Sequence, residues 1–337
     1  MNRKVRWGIL GAANIAVKKV IPAMQKGEFC EIAAIASRGA AKAENAAAQL
    51  NIPKFYASYE ALLADAEIEA VYIPVPNHLH LEWSQKAAEA GKHVLCEKPL
   101  TLNAGDVRKL IEVRNRTGVK IQEAFMVRHH PQWLKIRELI QTKKIGKLQA
   151  ITGFFSYNIP DPSNVRNHAD WGGGCLFDIG SYCINLSRFV TRAEPERVSA
   201  LIERDAETGI DKLTSAMLDF KGVQSTFTCA ARLVPFQRMQ FFGDAGRIDV
   251  LIPFNTPPDS RTQIFIDDGA DLYRRNLETI EFEAADQYTL QGDQFSKAIL
   301  ENEEQSISLE DSFRNMATID ACFRAAKSGN WETPEAL

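Results

Sequence analysis

A glycine followed by small residues, Gly11-Ala12-Ala13-Asn14-Ile15-Ala16, stands where a short apolar run gives way to a helix-like stretch. Residues of these types in this order can hold the pyrophosphate of a dinucleotide. Gly11 permits the tight turn, Ala13 still lets backbone approach the phosphates, and Ala16 lets helix and strand pack closely. The helix N-terminus, with Ala12, Asn14 and Ile15 around it, then offers unpaired N–H groups to the phosphates. Alanine replaces the second and third glycines of the usual fingerprint, so the turn alone also fits a plain strand–helix connection. The ribose-binding acid of such a site lies ~20 residues further on, a count that points at Glu31. Glu31, however, begins the second strand, at the wrong end of the sheet. The residues at its carboxyl end are Ser37-Arg38. An arginine with a hydroxyl neighbour and no carboxylate suits a 2′-phosphate and favours NADP over NAD, the plainer alternative being a solvated loop arginine.

Three further segments carry groups able to do chemistry. Ile73-Pro74-Val75-Pro76-Asn77-His78-Leu79-His80 closes the apolar run at 70–75, and Cys96-Glu97-Lys98-Pro99-Leu100 closes that at 93–96. Both fall at the carboxyl edge of a parallel sheet, where ligands sit. His78 and His80 are two residues apart and point to different sides of a helix, which argues against a metal site. Beyond Gly172-Gly173-Gly174, Asp178 and Tyr182 are four residues apart, and on a helix they share one face, about 40° apart.

The elements that must position these groups change character along the chain. Apolar runs at 5–10, 31–36, 70–75, 93–96 and 119–125 alternate with helical stretches at 14–26, 40–50, 79–90 and 101–117. Strand and helix alternate at intervals that demand parallel crossovers, a doubly wound α/β unit. After a helix at 131–145, a strand at 148–157 and a helix within 172–190 come strand-like runs at 198–205, 212–220, 223–232, 236–242, 262–267 and 279–282. Short turns link several of them, as a mostly antiparallel sheet requires, so the second part is α+β. Two helices, 288–300 and 308–327, close the chain. The expected division is a dinucleotide-binding domain over 1–122 and a substrate-binding and oligomerisation domain over 123–337.

Three runs resemble the glucose–fructose oxidoreductase, inositol dehydrogenase and rhizopine catabolism (Gfo/Idh/MocA) family: Ala88-Glu89-Ala90-Gly91-Lys92-His93-Val94-Leu95-Cys96-Glu97-Lys98-Pro99, Glu123-Ala124-Phe125-Met126-Val127-Arg128, and Asp178-Ile179-Gly180-Ser181-Tyr182. The resemblance extends over nearly the whole chain. It implies an N-terminal Rossmann domain, a C-terminal domain with a large, mostly antiparallel open sheet, and a nicotinamide oxidoreductase. It also implies that Lys98 is catalytic, with a cis peptide to Pro99, and that Pro74, Asn77, His80 and Glu97 border the cofactor. Many members carry histidine where this chain has Tyr182. The branches that share the tyrosine include glucose–fructose oxidoreductase, dimeric dihydrodiol dehydrogenase, NADP-dependent aldose dehydrogenases and some nucleotide-sugar ketoreductases. In them the tyrosine is the acid/base, and the acidic residue four positions earlier, here Asp178, helps place the substrate.

The chemistry agrees with that transfer. Oxidising a sugar hydroxyl needs a base to take the proton while hydride leaves for the nicotinamide. Free tyrosine, with a pKa of ~10, is too weakly ionised at neutral pH, and an ammonium such as Lys98 within reach corrects this. Arg128 and His130, from the second family run and its continuation, are further candidates for the sugar pocket, with a structural role for His129-His130 equally open. Arg166 and Trp171 precede the glycine run; a tryptophan face suits a sugar's C–H surface, although many loop tryptophans merely cover a core.

Composition narrows the classes. The chain has 337 residues, 45% hydrophobic and 25% charged, with 40 basic against 43 acidic side chains and a formal charge of -3. These values fit two globular domains and give no sign of a nucleic-acid or membrane partner. No run reaches the roughly 18–20 apolar residues of a membrane span, and the N-terminus lacks a signal segment, so a soluble, cytoplasmic protein is expected. Six scattered cysteines without a C-x-x-C read as reduced and buried. The leading function is an NADP-dependent dehydrogenase acting on an aldose pyranose at C1 to give a lactone. Keto-sugar reduction or cyclic diol oxidation by the same groups, a noncatalytic nucleotide-sensing regulator, and a scaffold are the alternatives. An open sheet needs cover on one face, so a homodimer or higher even oligomer is expected.

Overall fold

Apolar runs without alternation, such as Val5–Leu10, are what a strand covered on both faces requires. In the computed structural model, which describes residues 3–337, six strands form one parallel sheet. They are β1 (Val5–Leu10), β2 (Cys30–Ala36), β3 (Lys54–Tyr56), β4 (Ala70–Ile73), β5 (His93–Glu97) and β6 (Ile121–Ala124), in the order β3-β2-β1-β4-β5-β6. This is the doubly wound order of a Rossmann sheet, with the strand order reversing beside β1. Gly11, Ser37, Pro74 and Lys98 directly follow the carboxyl ends of β1, β2, β4 and β5.

The compact unit built on this sheet takes in the chain through Met126 and also Gln287–Phe313. That differs from a division at 122/123, which leaves both closing helices in the second domain. The reason lies in Trp7, fully buried on β1. Its Nε1 donates to Ser296 Oγ at 3.0 Å and its ring lies 5.9 Å from Phe295, both on the helix Gln287–Leu300. Asp293 of the same helix accepts from the backbone N–H of Glu28 and Phe29, each at 2.9 Å. The late helix is thus the cover of the first sheet.

The second unit, Val127–Asp286 with Arg314–Leu337, is built on eight strands. These are β7 (Leu148–Asn158), β8 (Arg197–Arg204), β9 (Asp211–Asp219), β10 (Gln224–Ala230), β11 (Arg232–Gly243), β12 (Arg247–Val250), β13 (Thr262–Asp267) and β14 (Glu278–Phe282). Their order is β14-β13-β12-β11-β7-β10-β9-β8, antiparallel except where β10 runs parallel to β7. The helix Ser181–Thr191 covers one face, where Gly153 gives it room: a Cβ there would stand 3.0 Å from Cys183 Sγ. The alternate residues Thr152, Phe154, Ser215, Met217, Thr226 and Thr228 point to the other face and are exposed or half-exposed.

Two helices depart from the regular α pattern that the periodicity suggests. Ala16–Val20 and Leu176–Gly180 are π-helical, each continuing into an α-helix. The short strands β3 and β12 also escape a reading by apolar runs, because each is only three or four residues long. All six cysteines are buried and unbridged. Among the described residues, no helix is long and apolar enough to cross a membrane, and no group of three or more His, Cys, Asp or Glu could hold a metal ion.

Candidate active site

The nucleotide side begins at Gly11, whose φ of +131° excludes an ordinary L side chain. In the helix that follows, Val17 N–H donates to Ala13 C=O at 3.0 Å, and no side chain caps the start. The N–H groups of Asn14, Ile15 and Ala16 are therefore without helical partners, and Ala12 to Ile15 are exposed or half-exposed. A turn this open, with its donors unspent, fits a dinucleotide pyrophosphate. Ser37 is buried, with its N–H on Tyr56 C=O at 3.2 Å, while Arg38 next to it is exposed. Tyr59 joins the two positions. Its hydroxyl would stand 3.5 Å from a Cβ at Gly11, and the charge of Arg38 works against the burial that raises its phenol.

The second feature of this unit is the Glu97-Lys98-Pro99 turn, whose Lys98–Pro99 peptide is cis. It is clamped from three sides. Tyr72, fully buried, donates its hydroxyl to Glu97 Oε1 at 2.5 Å, and Glu123 Oε1 accepts from Leu100 N–H at 2.9 Å. His80, also fully buried, sets Nδ1 2.7 Å from Pro99 C=O and Nε2 2.8 Å from Val75 C=O. Burial pushes its imidazole down to about 4. His80 is thus a tie between two strand-end turns. The expectation that its ring borders the cofactor is corrected, because the ring is fully buried with each nitrogen against a backbone carbonyl. Pro74 is buried in the same turn, and Asn77, half-buried, opens the 3-10 turn Asn77–Leu79.

In the second unit, the chain enters the helix of Asp178 and Tyr182 through Gly174, at φ +111°. A Cβ there would fall 1.8 Å from Asp211 Oδ1, so glycine is required for Asp211 to reach the helix start. The buried Asp211 carboxylate accepts from Leu176 N–H at 2.6 Å and from Cys175 Sγ at 3.2 Å. This cap anchors the π turn that carries Asp178. Arg166 Nε donates to Asp178 Oδ2 at 2.5 Å, and its guanidinium lies 6.0 Å from the centre of the Tyr157 ring. Asp178's charge, ahead of any other cause, holds that guanidinium well above its usual range. The Tyr157 hydroxyl faces the same carboxylate; burial first, then the Asp178 charge, pushes it far up, so it stays a neutral phenol. Tyr182 rests edge-on to Phe155 at 6.0 Å and against Phe254 at 5.7 Å, and these two rings stack at 4.5 Å.

Asp178 lies in the π turn and Tyr182 one turn on, where it passes into the helix Ser181–Thr191. Arg166, left open by the sequence, joins them. Tyr157, Phe155 and Phe254 were not foreseen; the only trace is the aromatic pattern Phe154-Phe155-Ser156-Tyr157 along β7. Two candidates for the sugar pocket have local partners. Arg128 lies over the Phe189 ring at 4.7 Å, and Phe189 is seven residues, about 10 Å of helix, beyond Tyr182. His130 is buried and its Nδ1 accepts from Gln132 N–H at 3.2 Å, so it caps the helix Pro131–Gln141. Burial pushes its imidazole down to about 4. Trp171 is 38% exposed and stacks on His168 at 4.1 Å, in the loop that holds Arg166.

This arrangement has known counterparts. Residues 5–125 match the model of an oxidoreductase family with an NAD-binding Rossmann fold, and residues 133–249 match the GFO/IDH/MocA C-terminal domain. An uncharacterized oxidoreductase of Rhizobium meliloti is 47% identical over 98% of this chain and 99% of its own. A D-xylose 1-dehydrogenase (NADP(+)) of Haloferax volcanii is 36% identical, over 96% and 98%. Among solved structures, the 3-ketoreductase KijD10 of Actinomadura kijaniata, in complex with NADP and TDP-benzene, superposes with a TM-score of 0.90 at 29% identity, over 96% of this chain and 98% of that one. The chain belongs to the Gfo/Idh/MocA family of NAD(P)-dependent oxidoreductases.

Proposed function

We propose that this chain is an NADP-dependent dehydrogenase that oxidises an aldose pyranose at C1 to a lactone. The observation that carries the reading is the 2.5 Å contact between Arg166 Nε and Asp178 Oδ2. A carboxylate so paired stays ionised and accepts hydrogen bonds; it orients a sugar hydroxyl but does not shuttle its proton. His80 is fully buried with each ring nitrogen against a backbone carbonyl, and Tyr182, one turn from Asp178, is assigned as the base. Tyr182 takes the proton of the C1 hydroxyl as the C1–O bond becomes a carbonyl. Bound NADP+ supplies the hydride acceptor, so one sugar and one NADP+ yield lactone, NADPH and a proton. Lys98 is assigned to the reacting oxygen as a donor, on the family resemblance and on the three-sided clamp that fixes its turn.

NADP is favoured over NAD by Arg38, exposed beside Ser37 at the end of β2. Residues 1–122, with the helix Gln287–Leu300 that covers their sheet, are assigned to the cofactor and the remainder of 123–337 to the substrate, with Trp171 as a stacking surface for the sugar. The uncovered sheet face with Phe154 and Met217 is assigned to a second copy of the chain, and the buried thiols suit a cytoplasmic setting. A second reading, reduction of a keto-sugar by the same groups in reverse, is favoured by the likeness to the ketoreductase. A purely nucleotide-sensing protein has no use for the Arg166–Asp178 pair beside Tyr182. A spectrophotometric screen with NADP+ and NAD+ against aldoses, polyols and diols, and with NADPH against keto-sugars, tests the reading. Turnover of an aldose with NADP+ is expected; NADPH binding without turnover of any of them contradicts it.

A further inference from the structure

Arg166 is held more firmly than a loop arginine needs to be. Its backbone N–H donates to Asn164 Oδ1 at 3.1 Å, and its carbonyl accepts from Gly174 N–H at 3.0 Å. The next residue, Asn167, is buried and bound to Ile159 C=O at 3.0 Å and to Arg232 Nη2 at 2.9 Å. The guanidinium then meets Asp178 through Nε and overlies Tyr157, while 41% of the side chain stays exposed. Its terminal amino groups make no further hydrogen bond among the described residues.

Asp178 presents a problem that this arrangement solves. A carboxylate one turn ahead of Tyr182 on the same face would, alone, oppose ionisation of the phenol, because like charges disfavour each other. We propose, resting on the reading of Tyr182 as the base, that Arg166 is a positioning residue that offsets the Asp178 charge, so that Tyr182 can stand as a phenolate while Asp178 orients the sugar. The coupling is mutual: the charge of Tyr182 is among the causes that keep the Arg166 guanidinium charged. The charged and titratable groups around Tyr182 include Asp178 on the same helix, Arg166 from the loop, and Tyr157 on β7, which burial keeps neutral, besides the Lys98 ammonium that the proposed function assigns to the reacting oxygen. Phe155 and Phe254 add only rings. On the neighbouring helix, His130 is a neutral cap, and Arg137 lies over Phe189, 4.3 Å from its ring centre.

Ultraviolet difference titration of the full chain isolates Tyr182 without any substrate. The phenolate absorption of wild type minus that of Tyr182→Phe leaves one of the seven tyrosines. In Arg166→Met, measured against Arg166→Met/Tyr182→Phe, the transition should move up by at least about one pH unit, as loss of an adjacent opposite charge requires. Arg166→Lys, which keeps the charge, should hold most of the wild-type value, and Asp178→Asn should move it down. A transition unmoved in Arg166→Met, or moved as far in Arg166→Lys, overturns the proposal. Tyr182→Phe turnover, assayed on the same preparations with whichever sugar the screen identifies, separates the two claims. If Tyr182→Phe remains active, the base assignment itself fails; if it is inactive while Arg166→Met leaves the titration in place, only the role of Arg166 fails.

Discussion

The two turns that carry the candidate catalytic groups are fixed by different physics. Around Lys98, the chain is tied by hydrogen bonds from buried side chains: His80 between two carbonyls, Glu123 on Leu100 N–H, Tyr72 on Glu97. Around Tyr182, the ties are an ion pair between Arg166 and Asp178 and a shelf of aromatic rings. Backbone ties make one geometry rigid whatever the pH above the histidine range. A charge pair beside a tyrosine sets a protonation state. The first arrangement suits a group that must be aimed, the second a group that must gain and lose a proton.

If that contrast holds, changes on the two sides should fail differently. Tyr182→Phe keeps the ring on Phe155 and Phe254 and removes only the hydroxyl, so turnover should fall by roughly 10²–10⁴ while NADPH affinity persists. Steady-state rates with a fluorescence titration of NADPH check both. His80→Ala should do the reverse. It removes the ring between the Val75 and Pro99 carbonyls, one of which accepts its single N–H, at about 1–3 kcal/mol, and should lower both stability and NADPH affinity. The pH dependence has a definite sign. His80 is held near 4 in the folded chain, against ~6.5 when unfolded. Its contribution is therefore complete above about pH 6.5 and is lost as pH falls toward 4, up to about 3 kcal/mol. Urea midpoints at pH 7 and pH 5 should fall more steeply for wild type than for His80→Ala.

Smaller effects sharpen the cofactor side. Arg38→Ala should weaken NADP binding by ~1.5–3 kcal/mol, the range for a hydrogen bond to a charged group, and leave NAD nearly unchanged. Calorimetric titration of both nucleotides decides it. Arg128→Ala is the weakest. The lost contact with Phe189 should cost about 0.5–1 kcal/mol of stability, read as a shift of the urea midpoint.

The same contrast explains what the sequence disclosed. Gly11 to Ala16, Ser37-Arg38 and Glu97-Lys98-Pro99 are contiguous, because each sits on one strand-end turn of a parallel sheet, and position in the alternation was enough to find them. Asp178 and Tyr182 were legible for a similar reason, being four residues apart on one helix. Arg166 and Tyr157 were not. They meet Asp178 from 12 and 21 residues away, through a loop and a strand whose pairing no periodicity records. His80 misled because a histidine beside a ligand edge and a histidine tying two carbonyls have the same one-dimensional surroundings. The helix Gln287–Leu300 was found, but its place under Trp7 was not, since nothing in its own pattern says which sheet it covers.

Hydride transfer from C1 is the central claim, and isotope labelling addresses it directly. The chain would be incubated with NADP+ and aldoses deuterated at C1, among them D-xylose, D-glucose and D-galactose, and the reduced nucleotide analysed by mass spectrometry. The account predicts deuterium on the recovered nucleotide, one label per lactone formed, and a slower rate than with the unlabelled sugar. Unlabelled NADPH from a C1-deuterated substrate, or no reduction with any aldose while NADPH reduces a keto-sugar, would contradict it.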